Sequence, residues 1–310
     1  MKFAFIFPGQ GSQSVGMLDV FGDHPVVKET LEEASDILCQ DVRHLIAHGS
    51  ADQLNLTIYT QPVMLSAAYA IYRVWRQAGG EVPVVVAGHS LGEYTALVAA
   101  DAITFRDAVL LVRFRAEAMQ QAVQKQAGGM AVILGLNNNT VLEACADAGS
   151  VGIVEAVNFN APTQIVIAGH MIAVEKACKI AKAKGAKRAV LLPVSAPFHS
   201  SLLKPASEHL REYLANVIVR VPQIPLINNV DVAIVSDPIG IKDALVRQAA
   251  SPVRWVECVR LIAAQKITHV IECGPGKVLS GMTRCIDSNL VSSAIADPAS
   301  INETLELLRY

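Results

Sequence analysis

The chain has 310 residues, with 26 Lys+Arg against 28 Asp+Glu, a formal net charge of -2, 52% hydrophobic and 17% charged residues. Such a composition buries a large core, which excludes a disordered chain, and its balanced charge offers no chain-wide attraction for nucleic-acid phosphates or anionic lipid. The apolar runs, such as 82–87 and 189–194, fall far short of the roughly 18 to 20 residues a membrane span needs, so a globular protein that binds neither nucleic acid nor membrane is expected.

The chain opens on an alternating strand-like run, Lys2 to Phe7, without the basic start and small-residue cleavage site of a secretory leader, so a cytoplasmic location is expected. Helical stretches at Val26–Cys39 and Gln61–Ala78, a strand at Val84–Gly88 and a helix at Gly92–Ala100 follow. This alternation predicts a parallel sheet covered by helices. From Gly128 to Ser195 the pattern changes. Met130–Leu136 reads as a strand, Thr140–Ala148 as a helix, Ile153–Val157 and Gln164–Ala168 as strands, Ala173–Lys184 as a helix and Ala189–Val194 as a strand. The order βαββαβ predicts a ferredoxin-like unit over 128–195, inserted into an α/β domain formed by 1–127 and 196–310. The alternation then resumes with a helix at Leu202–Val217, a strand at Leu226–Val230, helices at Ile241–Gln248 and Val253–Ala264, and a strand at His269–Glu272. The six cysteines form no C-x-x-C pair, so neither a disulfide framework nor a cysteine zinc site is expected, and no other metal is implied.

Gly88-His89-Ser90-Leu91-Gly92 is a G-x-S-x-G run placed between an apolar strand and a helix. In that context it reads as a nucleophile elbow: small residues at 88 and 92 permit the tight turn, and Ser90 projects its hydroxyl. The amide of Leu91 falls at a helix N-terminus, suited to an oxyanion. A serine hydroxyl needs a base. His89 adjoins the serine, and neighbours on a tight turn point in different directions, so it makes a poor base. His199, in the loop Ser195 to Ser200 after a strand, is the better candidate, against the alternative of an ordinary loop histidine. The glycine-rich loop 8–16 lacks the third glycine or alanine of a dinucleotide fingerprint, because position 14 is serine. It offers free backbone amides and the amide side chain of Gln10, suited to a second oxyanion donor, or is simply a β-to-α turn.

In the helix expected at Phe105–Val123, positions 105, 108, 112, 115, 119 and 122 form an apolar stripe broken by Arg115, whereas Arg113 shares a polar face with Arg106, Glu117 and Gln120. A guanidinium facing the core requires an anion or several acceptors, and the anion would be either a structural carboxylate or the carboxylate of a substrate gripped in a bidentate pair. The basic run Lys176, Lys179, Lys182, Lys184, Lys187 and Arg188 is either a solvated face or an attractor for an acidic partner.

At residues 8–13, 88–93, Arg115, 158–160, 197–200 and Glu272-x-Gly274-Pro275-Gly276, the chain closely resembles the malonyl-CoA:acyl carrier protein transacylases of type II fatty acid synthesis, in order and over essentially its whole length. The resemblance implies an α/β-hydrolase-like domain with a ferredoxin-like insertion. It also implies ping-pong transfer of malonyl from malonyl-CoA to the phosphopantetheine thiol of acyl carrier protein, with no cofactor beyond the coenzyme A thioester substrate, by a monomer. Position by position it implies Ser90 as nucleophile, His199 as base, Gln10 and the Leu91 amide as oxyanion hole and Arg115 as ligand of the malonyl carboxylate. It further implies that the main-chain carbonyl of Gln248 orients the imidazole in place of an acid, with Asn160 and His89 in support, and Phe198 resembles the malonyl-selective form. A serine hydrolase delivering the acyl group to water is the competing enzyme reading, and Arg115 on an apolar stripe argues against it, because a neutral acyl chain gives a buried cation nothing to pair with. A carrier-binding scaffold without catalysis is the other alternative.

Overall fold

The computed structural model describes residues 1–123, 128–194 and 196–309. Two sheets organise it. The strands β1 (Phe3–Phe7), β2 (Val85–Gly88), β3 (Gly128–Leu134), β4 (Val154–Ala161), β5 (Gln164–His170), β6 (Arg188–Leu191), β7 (Leu226–Ile227), β8 (His269–Cys273) and β9 (Val291–Ile295) divide into a five-stranded sheet of order β7-β2-β1-β8-β9 and a four-stranded sheet of order β4-β5-β3-β6. Every pairing in the first is parallel and every pairing in the second antiparallel.

The large sheet is built as its sequence demands. A central parallel strand is covered on both faces, so β1 reads FAFIF and is buried throughout. Successive side chains point to opposite faces. Phe3, Phe5 and Phe7 enter one core with Tyr72 and Trp75, where the Phe5 and Trp75 rings meet edge-on at 5.4 Å, while Ala4 and Ile6 enter a second core with Trp255 and Val259. The parallel strands end together, and the loops after β1, β2 and β8 emerge at one edge, where an open α/β sheet collects ligands.

All four strands of the smaller sheet fall within 128–191. The helices Asn138–Ala148 and Met171–Ala183 cover one face through Ala131, Ile133 and Ile167, and the other face turns Met130, Val157, Val166 and Ala168 towards Leu192, Val194 and Phe198. The spatial order β4-β5-β3-β6 is the one a βαββαβ unit adopts. Each expected boundary of the insertion, 127/128 and 195/196, includes one residue, 127 or 195, that lies outside the described ones. A backbone bridge ties the units together: Val253 donates to the Val157 carbonyl (2.8 Å) and Phe159 to the Val253 carbonyl (3.0 Å).

Some expected elements shift for local reasons. The strand expected at Ala189–Val194 ends at Leu191, because Pro193 lacks the N–H a ladder needs, and 192–194 leave the sheet to line a cleft. The helix expected from Gln61 begins at Thr57, with Pro62 inside it. Pro62 cannot donate to the Ile58 carbonyl, and Arg113 donates to that oxygen instead, at 3.3 Å. The helix expected from Val253 starts at Trp255, Val253 being engaged by β4. Helices at Val42–His48 and Ala51–Leu54, and the final β9 and helices Val278–Ile286 and Pro298–Arg309, were not legible from periodicity, because the helices are short or capped by loops and β9 reads VSSAI.

Candidate active site

The turn after β2 is an elbow. Ser90 sits at φ +52, a left-handed conformation that costs a non-glycine residue about 1 to 3 kcal/mol and persists only where the surroundings over-determine it. The surroundings are backbone. A Cβ on Gly88 would collide with the Gly92 carbonyl group, and a Cβ on Gly92 with the Phe7 carbonyl oxygen, so strand, turn and helix pack at glycine distance. The helix Gly92–Ala99 follows with Leu91 as its N-cap residue, which sets the Leu91 N–H at the positive end of the helix.

The loop 196–203 brings His199 to the serine from the far side of the insertion. Its φ is +64, and the loop is held by Ser201, whose N–H and hydroxyl donate to Glu155 on β4 at 2.7 and 2.8 Å. His199 is buried, with Nε2 2.7 Å from Ser90 Oγ and Nδ1 2.8 Å from the main-chain carbonyl of Gln248. A carbonyl only accepts, so Nδ1 carries the hydrogen and Nε2 presents its lone pair to the serine hydroxyl. Burial, with the Arg115 charge adding to it, pushes the imidazole pKa down to about 3, so the ring is neutral and able to take a proton.

Arg115 is 3% exposed. It donates from Nη1 to Gln61 Oε1 (2.7 Å) and from Nη2 to Gln248 Oε1 (3.0 Å) and to Ser90 Oγ (3.1 Å), and its guanidinium carbon stands 5.2 Å from the centroid of the Tyr94 ring. Among the described residues its buried Nε has no hydrogen-bond partner. All three acceptors are neutral, and among the described residues no carboxylate forms an ion pair with it; burial lowers its pKa, with Tyr94 and Glu93 opposing. The alternative left open by the stripe, a structural carboxylate in contact with the guanidinium, is not what surrounds it. Arg113, expected on a polar face, is half-buried and engaged: it pairs with Glu117 at 2.6 Å and lies 5.7 Å from the Tyr59 ring.

Gln10, Ser90, Arg115, Phe198 and His199 line one cleft of about 380 Å³ between the two units. Gln10 accepts from the Thr57 hydroxyl through Oε1 at 3.0 Å. His89 reaches the same cleft, but its Nε2 meets Asn160 Oδ1 at 2.8 Å and its ring packs edge-on against Trp255. Desolvation lowers its pKa, so it stays neutral and donates to Asn160. The Glu272 motif lies behind the loop of Gln10: Gly274, at φ +149, packs on Pro8, and Glu272 accepts from the Ser280 amide at 2.8 Å. Of the basic run, Lys184 pairs with Glu143 and Asp147 and Lys176 donates to Ser150; Lys179, Lys182, Lys187 and Arg188 are exposed.

Two buried residues to which motif reading gave no role, Asn229 and Glu93, hold the elbow, and a third, Gln61, holds Arg115. Asn229 Oδ1 accepts from the Ser90 amide (2.8 Å), and its Nδ2 donates to the Gly88 carbonyl (2.8 Å). Glu93 Oε2 accepts from the Asn229 amide and from Gln248 Nε2, each at 2.9 Å, and Gln248 Nε2 also reaches the Ser90 carbonyl at 3.0 Å. Burial raises the Glu93 carboxyl to about 7 against the hydrogen bonds of Gln248 and Asn229 and the charge of Arg115. One signal was available: Glu93 opens a helix that is otherwise uncharged, so its carboxyl had to be buried and satisfied. Gln61, the third, offered none.

Residues 4–299 match the acyl transferase domain family. A malonyl CoA-acyl carrier protein transacylase of Salmonella typhimurium is 50% identical over 305 residues, 98% of this chain and 99% of that protein. The crystal structure of an acyl-carrier-protein S-malonyltransferase from Burkholderia pseudomallei superposes with a TM-score of 0.97 at 69% identity, over 99% of this chain and all of the other. A malonyl-transacylase solved in complex with a type II PKS acyl-carrier protein superposes with the same TM-score at 47% identity, covering 99% of this chain and 100% of its own. Matched from end to end in sequence and in fold, the chain belongs to the acyl transferase domain family.

Proposed function

We propose that the protein transfers a malonyl group from malonyl-CoA to the phosphopantetheine thiol of acyl carrier protein through a malonyl-Ser90 intermediate, as a cytoplasmic monomer that needs no cofactor. The observation that carries this reading is the arrangement at Ser90 Oγ, which has a neutral imidazole nitrogen at 2.7 Å and a buried, unpaired guanidinium at 3.1 Å. His199 Nε2 takes the serine proton as Oγ bonds to the thioester carbonyl carbon, and the carbonyl oxygen becomes an oxyanion received by the Leu91 amide and Gln10. The carbon–sulfur bond then breaks, and His199 returns the proton to the departing coenzyme A sulfur. In the second half the carrier thiol gives its proton to His199, attacks the malonyl ester, and Ser90 leaves reprotonated.

Arg115 serves selection. The malonyl carboxylate meets a desolvated guanidinium with an open Nε–H, a match worth more in a dry cleft than in water. It also offsets the cation that depresses His199, so a bound malonyl group makes the base stronger. Gln248 acts twice, its carbonyl orienting His199 and its side chain holding Arg115. His89 and Asn160 support the wall of the cleft as a neutral pair. For the carrier, the exposed Lys179, Lys182, Lys187 and Arg188 gather positive charge on and just after the helix Met171–Ala183, and that charge attracts an acidic partner.

The test is intact-mass spectrometry after brief mixing with malonyl-CoA. The parent gains one malonyl group, lost again on adding carrier protein, and Ser90→Ala gains none. Full transfer by Ser90→Ala refutes the assignment, and discharge to water at the rate seen with the carrier makes the protein a hydrolase.

A further inference from the structure

Base and nucleophile meet in the cleft, yet both are tied to one oxygen behind it. Glu93 is the second residue of the helix Gly92–Ala99 and is buried. Its Oε2 accepts from Gln248 Nε2 and from the Asn229 backbone amide, each at 2.9 Å. The direction of the Gln248 side chain is forced: a guanidinium donates and never accepts, so Arg115 claims the amide oxygen, at 3.0 Å, and the nitrogen turns to Glu93. Gln248 also closes the helix Pro238–Gln248, so its main-chain carbonyl has no partner within the helix and points where its own residue is held. That carbonyl receives the His199 Nδ1–H at 2.8 Å. On the other arm, Asn229 spans the strained serine turn, its side chain accepting from the Ser90 amide and donating to the Gly88 carbonyl, each at 2.8 Å. Gln248 and Asn229 are buried as well, so water does not stand in for a lost acceptor.

We propose that Glu93 is a positioning residue for acyl transfer: one carboxyl oxygen aligns His199 through Gln248 and Ser90 through Asn229. The proposal rests on the reading of Ser90 and His199 as nucleophile and base. The acid of a catalytic triad touches its histidine, whereas this carboxyl stands one residue further back and holds the backbone that touches it. An acceptor is what the arrangement needs, and not a charge. Both N–H groups meet the same oxygen, so the proton of the neutral acid resides on the other one and disturbs neither bond. Arg115 keeps its bonds to Gln61 and Ser90 whatever Glu93 does, so the loss of Glu93 falls on the alignment of Oγ with Nε2 and not on binding of the thioester.

The experiment is the single-turnover rate of Ser90 acylation against malonyl-CoA concentration for the parent, Glu93→Met, Glu93→Gln, His199→Ala and the Glu93→Met/His199→Ala pair. Glu93→Met keeps the length of the side chain without its acceptor, and should slow the saturated rate about a hundredfold, the cost of displacing a reacting group by about 1 Å, with the half-saturating concentration unchanged. Glu93→Gln, which keeps an acceptor oxygen and gives up the charge, should acylate within about threefold of the parent rate. Once His199 is alanine, Glu93→Met should cost less than about tenfold, because groups that act as a unit are not lost twice. In protein carrying nitrogen-15 histidine, the His199 Nδ1–H resonance, assigned by its loss in His199→Ala, should exchange slowly with water in the parent and in Glu93→Gln and faster in Glu93→Met. Where Glu93→Met does not fold, Asn229→Ala, which cuts the arm to the serine and leaves Glu93 in place, carries the rate test, with a slowing of about tenfold or more expected. A parent-like rate for Glu93→Met or its substitute, a Glu93→Gln as slow as Glu93→Met, or additive losses each overturn the proposal while leaving Ser90 and His199 in their roles. A His199→Ala protein that acylates at the parent rate removes the reading of the base itself, and the proposal with it.

Discussion

Arg115→Ala tests the selectivity that the site implies. The side chain is 3% exposed, its hydrogen bonds go to Gln61, Gln248 and Ser90, all neutral, and its Nε is open. A malonyl carboxylate would therefore be the missing anion of a buried pair. Truncating one partner of such a pair costs about 2 to 5 kcal/mol, which at about 1.4 kcal/mol per decade is a fall of about one and a half to three and a half orders of magnitude in malonyl transfer. The truncation also leaves the Gln61 and Gln248 oxygens without their donor, which lowers stability and disturbs any acyl substrate alike. The ratio of kcat/KM for malonyl-CoA to that for acetyl-CoA cancels the shared loss, and acetyl transfer should fall less or rise. Arg115→Lys should recover only part of the ratio, because an ammonium cannot make two parallel bonds to a carboxylate. Arg113→Ala is the internal control: it loses the Glu117 pair and the bond to the Ile58 carbonyl, so thermal stability falls by about 1 kcal/mol while the ratio stays. A folded Arg115→Ala protein with the parent ratio would refute the reasoning and reduce Arg115 to a structural residue.

Gly92→Ala should lose the elbow rather than the fold, because its Cβ meets the Phe7 carbonyl oxygen and the helix behind Ser90 must back away; displacing the nucleophile by about 1 Å is expected to slow acylation about a hundredfold, and a rate within about twofold of the parent counts against the glycine argument. The buried His199 ties stability to pH. Its pKa is lowered on folding from 6.5 to about 3, so the unfolded chain binds the proton first, and the stabilisation present above the unfolded value drains away as pH falls towards the folded one. At about pH 5 this amounts to about 2 kcal/mol, which His199→Gln should remove from the difference between urea unfolding at about pH 7 and about pH 5. An unchanged difference would mean that the imidazole is protonated in the folded protein.

Much of the molecule was legible in local pattern. The run FAFIF, the apolar stretch before Gly88 and the G-x-S-x-G spacing specify a buried parallel strand and a tight turn through sterics that act over a few residues, and the βαββαβ order of the insertion follows from periodicity alone. Helical periodicity likewise put Arg115 on the buried face of Phe105–Val123, since a period of 3.6 residues is intrinsic to the chain. Tertiary structure decided what those residues meet. That Arg115 finds, among the described residues, three neutral acceptors and no carboxylate, that the Gln248 carbonyl stands where an acid would, and that Glu93 and Asn229 clamp the serine turn depend on segments as much as 158 positions apart being folded together. No local rule carries such information, because hydrogen-bond partners are set by where elements pack and not by what precedes them in sequence. The end of β6 at Leu191 is a case between the two: Pro193 is written in the chain, but only the cleft explains why 192–194 turn away from the sheet to face Ser90 and His199.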